Sequence, residues 1–220
     1  MFRLRQRMSV LVLAPLVVLA CGKESDPAPP PPLLEICGHL NAVSLEMRVR
    51  SYPDLSDVDG AVVLVDGHLV LGVPGGVYRT GGWVSSLSPG QTVPIEVRSG
   101  DLVVTGAVVM PTIVLTAPDG GTYAMSDDIL STWYAMYAER FTVTASWQNP
   151  DSSDGSYSQD VIGGSSDELA IPAAALPATT GQVSVKVAAR SDARFAGDST
   201  PCHVPFYATT WSEAGVANRQ

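Results

Sequence analysis

The chain has 220 residues, with 22 acidic against 13 basic side chains, a net charge of −9 and 45% hydrophobic content. A chain this acidic repels phosphate backbones, and it holds no basic run, which excludes nucleic acid as a partner. Its hydrophobic content and length allow a sizeable core, so a folded rather than a disordered chain is expected.

The N-terminus carries Arg3, Arg5 and Arg7, no acid, and then an apolar run from Val10 to Ala20 interrupted by Pro15. A membrane helix needs about 20 apolar residues, so this shorter run reads as an export signal spanning residues 1–20. It ends Val18-Leu19-Ala20-Cys21-Gly22. This segment resembles the lipobox of bacterial lipoproteins. The resemblance implies that Cys21 receives a diacylglyceryl group, that the chain is cut before it, and that its new amino group is acylated. Gly22, where an aspartate would signal retention, implies the outer membrane. The membrane is then a partner through the lipid anchor, each buried lipid CH₂ contributing about 0.8 kcal/mol. Loss of residues 1–20 removes three bases and no acids, taking the net charge from −9 to −12.

Residues 21–32 follow as the lipidated cysteine and a proline-rich tether, Gly22 to Pro32, which extends at about 3.1 Å per residue, or roughly 30 Å in all. From Leu33 onward the signals are those of strands and turns. Val43, Leu45, Met47 and Val49 alternate with polar residues, the period of a half-buried strand. Val62–Val65 and His68–Leu71 flank Asp66-Gly67, a strong hairpin signal because both turn residues need positive φ. A second hairpin joins Val93–Arg98 to Leu102–Met110 across Ser99-Gly100. The pattern restarts with strands at Thr112–Thr116, Phe141–Trp147, Leu169–Ile171, Val183–Val187 and Val204–Thr210, and a polar loop at Asp151–Ser158. The best helical candidates are Leu130–Ala138 and a turn at Pro172–Leu176.

Short strands at intervals of about ten residues argue an all-β fold of two tandem β-sandwich domains, placed at 33–115 and 116–220 with the joint near Pro111 or Pro118. The pattern resembles the immunoglobulin-like or fibronectin-type modules of bacterial envelope proteins. That likeness implies architecture and no activity.

With Cys21 lipidated, Cys37 and Cys202 remain, and an even pair in an oxidising compartment reads as a disulfide. Cys37 is expected before the first strand of one sandwich and Cys202 before the last strand of the other. A bridge therefore requires the Cys37 segment to fold back or the sandwiches to lie side by side. A second reading uses the histidines: Cys37, His39, Cys202 and His203 make a tetrahedral metal set, and His68 lies beside the Asp66-Gly67 turn. Asp54, Asp57 and Asp59 before Gly60 suggest calcium, but their spacing fails the EF-hand pattern, and an acidic turn is the simpler reading. Trp133, Tyr134 and Tyr137, with Phe141, form the densest aromatic cluster, either core or a contact surface for a ligand or partner.

No Gly-x-Ser-x-Gly elbow, His-Glu-x-x-His or phosphate loop is present, and no enzyme activity or cofactor is expected. The sequence points to a lipid-anchored envelope protein facing periplasm or cell surface. It would act as a structural or adhesion module that contacts another envelope or surface protein. The alternative is a metal- or carbohydrate-binding lipoprotein.

Overall fold

Alternation of apolar and polar residues governs almost every element of the protein. The computed structural model describes residues 32–80, 82–163, 166–179 and 181–220. The expected signal peptide 1–20, the lipidation site Cys21 and the tether as far as Pro31 lie outside the described residues.

Seven strands build the first sandwich: β1 (Leu33–Leu40), β2 (Leu45–Tyr52), β3 (Val62–Val65), β4 (His68–Val73), β5 (Val77–Thr80), β6 (Thr92–Ser99) and β7 (Leu102–Val109). Their pairing orders β1-β2-β5 in one layer and β4-β3-β6-β7 in the other. β4 joins the layers, pairing β3 through His68–Val70 and β5 through Leu71–Val73. The expected Asp66-Gly67 hairpin forms, with φ of 51° and 76°. In β2, Leu45, Met47 and Val49 point inward as the alternation predicts. Val43 does not. The Oδ1 of Asn41 accepts hydrogen bonds from the amides of Val43 and Ser44, both at 2.8 Å, and this turn leaves Val43 78% exposed. β1 itself has Leu34, Ile36 and Leu40 buried, so Cys37 lies within a strand rather than before one.

The second half repeats the plan. β8 (Thr112–Ala117), β10 (Ile129–Met136) and β13 (Ser166–Ile171) form a three-stranded sheet in the order β13-β10-β8. A short β9 (Thr122–Tyr123) pairs the chain's final strand. β11 (Arg140–Gln148), β12 (Asp154–Ile162) and β14 (Gly181–Asp192) form the opposing layer with β17 (Tyr207–Trp211) and β18 (Gly215–Arg219). The helical candidate Leu130–Ala138 instead lies in a strand as far as Met136, with Tyr137 and Ala138 beyond its end. Ile129, Ser131, Trp133 and Ala135 are buried and their neighbours face outward, a period of two set by packing against Phe141, Val143 and Ile171. The polar stretch around Ser156 is also a strand, because backbone pairing to β11 over nine residues does not require apolar side chains. Pro172–Leu176 contains only a single 3₁₀ turn, Ala173–Ala175.

Two hydrophobic cores result. One gathers residues from Leu34 to Met110 and also takes in Phe206 and Ala208; the other runs from Ile113 to Ala217. The protein is therefore all-β, built as two sandwiches, each around its own core.

Candidate functional site

Between β14 and β17 the chain leaves the second sandwich and runs along the first. This excursion, residues 193–206, contains β15 (Arg194–Gly197) and β16 (Ser199–Thr200). β15 pairs antiparallel with β7, and β16 pairs parallel with β1. Asp198 sits at the centre of the docking. Its carbonyl accepts the Leu34 amide at 2.7 Å, its amide donates to the Val103 carbonyl, and its carboxylate accepts the Val103 amide at 2.9 Å. Gly197 permits this approach: its φ is +88°, and a Cβ there would lie 2.4 Å from the Val103 carbonyl oxygen. Phe195 and Phe206 pack edge to face with centroids 6.5 Å apart. β17 then pairs parallel with β1 at His39–Tyr207 and Leu40–Ala208, so one hydrogen-bonded sheet path passes from one sandwich into the other.

A disulfide between Cys37 and Cys202, with Cα atoms 5.7 Å apart, closes this arrangement. The two cysteines meet because Cys202 lies on the excursion and not at the far end of the second sandwich. Glu35, Cys37 and Cys202 present a carboxylate and two sulfurs within 4.8 Å of one another. Bonded sulfurs offer no thiolate, so the oxidised pair lacks the soft ligands that a zinc or copper site needs. Glu35 is buried opposite Arg50 on β2, with Arg50 Nη1 3.6 Å from its Oε2. His39 lies beside Tyr207 at 6.2 Å between ring centroids, His68 stacks on Trp83 at 4.6 Å, and His203 is exposed on the excursion. None of these contacts joins a histidine to a serine or a carboxylate.

The three aspartates of the acidic turn are each engaged. Asp54 accepts from the Ser51 and Ser56 hydroxyls, and the Ser51 bond, followed by the Ser56 bonds, holds its carboxyl below the usual carboxylate range. Asp57 pairs with Arg48 at 2.9 Å, and Asp59 accepts the Gly76 amide. Beside them, the Tyr78 hydroxyl donates to the Val58 carbonyl at 2.7 Å and accepts from the Ala61 amide at 2.9 Å. Burial pushes its ionisation up.

The aromatic cluster separates by strand parity. Trp133 is 1% exposed and packs on Phe141 at 5.4 Å, so it belongs to the second core and offers no surface to a ligand. Tyr134, one residue on, is 46% exposed and shares the outer face of the three-stranded sheet with Val114, Leu130 and Met136. Tyr137 has a φ of 61° and turns out of the strand end toward a cleft of about 450 Å³ shared with Ala107, Val109, Glu139 and Arg194. Sequence reasoning overlooked Glu35, Asp198 and Trp211. Gly197-Asp198 and Pro201 were the available signals that the chain breaks between β14 and β17.

No protein-family model matches the chain, and no curated protein does. Among solved structures it is similar to the alpha chain of the chicken interferon gamma receptor, at 13% identity and a TM-score of 0.27, over 84% of this chain and 97% of that one. It is similar to fibronectin(III)-like modules of Clostridium thermocellum CbhA, at 10% identity and a TM-score of 0.32, over 86% and 93%. A tetra-tandem repeat from the extending region of a large adhesion protein gives 12% identity and a TM-score of 0.29, over 85% of this chain and 49% of that chain. Likenesses this remote carry no functional argument, and the sandwich architecture rests on the strand pairing itself.

Proposed function

We propose that this protein is a non-enzymatic, lipid-anchored module of the bacterial cell envelope. Cys21 holds it to the membrane, residues 21–32 act as the spacer, and the two sandwich domains, divided near Pro111 with residues 193–206 laid on the first, form a stiff structural and protein-binding element. The observation that carries this reading is the disulfide-stapled excursion. Tandem sandwiches joined only by a short linker hinge freely, whereas here strand pairing, an aromatic contact and the Cys37–Cys202 bond tie the second sandwich to the first. A stable disulfide also favours an oxidising compartment outside the cytoplasm. The exposed Val114, Leu130, Tyr134 and Met136 provide an apolar strip of the kind protein partners cover.

Metabolic labelling of cells with an alkyne-bearing palmitate tests the anchor directly. The full chain is expected to take up label and partition with membranes, and the Cys21→Ser chain to do neither. An unlabelled wild-type chain recovered in the soluble fraction would overturn the proposal.

A further inference from the structure

The outer face of the layer formed by β11, β12, β14, β17 and β18 is rich in small polar side chains. Along β11 it presents Arg140, Thr142, Thr144, Ser146 and Gln148; β12 adds Asp154, Ser156, Ser158 and Asp160, and β14 adds Gln182, Ser184, Lys186 and Arg190, so that most of its charges lie away from the Ser146 end. Val216 and Asn218 of β18 complete it. At one end, Ser146, Gln148, Asp154, Ser156, Gln182, Ser184 and Val216 line an open groove of about 790 Å³. Asp154 is the one charged residue in that lining. Farther up the sheet, Thr142 bonds Asp160 and Thr144 bonds Ser158. The hydroxyls and amides of Ser146, Gln148, Ser156, Gln182 and Ser184, by contrast, bond no other side chain among the described residues.

Trp211 stands on the same face. It pairs with Ala188, whose side chain is small, and is 53% exposed. From Ser184 to Ala188 is four residues of strand, about 13 Å at 3.3 Å per residue. A flat indole therefore lies at one end of a track whose other end is a groove of uncommitted hydroxyls and amides. The half-exposed indole leaves an aromatic face open to a flat partner, and the residues around it select what that can be.

We propose that this face binds a neutral polysaccharide chain. Sugar rings present an apolar C–H face that stacks on indole, and hydroxyls that exchange hydrogen bonds with Ser, Gln and Asn side chains. Charge favours the same ligand. The chain as a whole is strongly acidic, which repels uronate-rich or phosphate-bearing polymers, whereas the groove is nearly uncharged and costs an uncharged polyol no ion desolvation. A protein partner would leave these many small polar groups imperfectly paired, and it has a better surface in the apolar strip around Tyr134. The inference does not depend on lipid anchoring.

The test is electrophoresis of residues 22–220 through native gels cast with hydroxyethylcellulose, galactomannan or dextran, and with alginate as the anionic counterpart. Retardation is expected in at least one neutral gel and not in alginate. Trp211→Ala, and separately the exposed pair Gln148→Ala with Gln182→Ala, should each weaken it by about tenfold or more, as loss of a central anchor does. Tyr134→Ala, on the opposite sheet, should leave it unchanged. Absence of retardation in all three neutral gels overturns the proposal, as does retardation that survives both the Trp211 and the paired glutamine changes, or retardation that Tyr134→Ala abolishes equally.

Discussion

Reducing the Cys37–Cys202 bond should destabilise this protein more than loss of most single disulfides does. The bond spans 165 residues of sequence and so encloses nearly the whole of both sandwiches. In the chain-entropy model a loop of that length removes about 17 cal/mol/K from the unfolded ensemble, or about 5 kcal/mol at room temperature. In the folded state little changes on reduction, because the β15–β7 pairing and the three hydrogen bonds of Asp198 hold the excursion without the sulfurs. The loss therefore lies almost entirely in the unfolded state. For a chain of this size, 5 kcal/mol corresponds to a fall of about 10–20 °C in Tm. Urea and thermal unfolding of residues 22–220, compared with the Cys37→Ser, Cys202→Ser double variant and followed by circular dichroism and tryptophan emission, measure it. A difference below about 1 kcal/mol would refute the reasoning, since it would mean that the unfolded chain is already confined without the bond.

Gly197→Ala should loosen the excursion, since the new Cβ meets the Val103 carbonyl at 2.4 Å with φ at +88°; a cost of about 2 kcal/mol is expected, read as faster reduction of Cys37–Cys202 by dithiothreitol. Tyr78→Phe leaves the Val58 carbonyl and the Ala61 amide short of a partner, at a cost of about 1–3 kcal/mol in urea unfolding. Because burial raises the ionisation of Tyr78 above its unfolded value, its contribution is complete below pH 10 or so and is lost as pH rises through the folded value; the alkaline decline in Tm should be shallower in Tyr78→Phe. Asp54 has the opposite sign: its folded ionisation lies below the unfolded one, so its contribution is present above about pH 4 and lost as pH falls through the folded value. Ser51→Ala should shift the Asp54 carboxyl upward in an NMR titration, and an unchanged titration would rule out the Ser51 hydrogen bond as the main cause.

The sequence by itself determined the local elements wherever one side of a strand had to be apolar. The Asp66-Gly67 hairpin, the inward Leu45, Met47 and Val49, and the strand from Phe141 were all readable, because period-two burial and positive-φ turns are properties of a few adjacent residues. β12 was not readable, because its nine pairings with β11 are made by backbone atoms that every sequence carries. The aromatic run at Trp133 and Tyr134 was visible as a cluster, but only the strand's phase assigned one ring to the core and the next to solvent. The Cys37–Cys202 pairing was readable from the cysteine count, but two features were decided by tertiary structure alone: the crossing of residues 193–206 onto the first sandwich, which brings the two cysteines together, and the gathering of uncharged polar side chains around the groove below Trp211. Each joins residues far apart in the chain, and no local preference records which distant backbone will lie alongside.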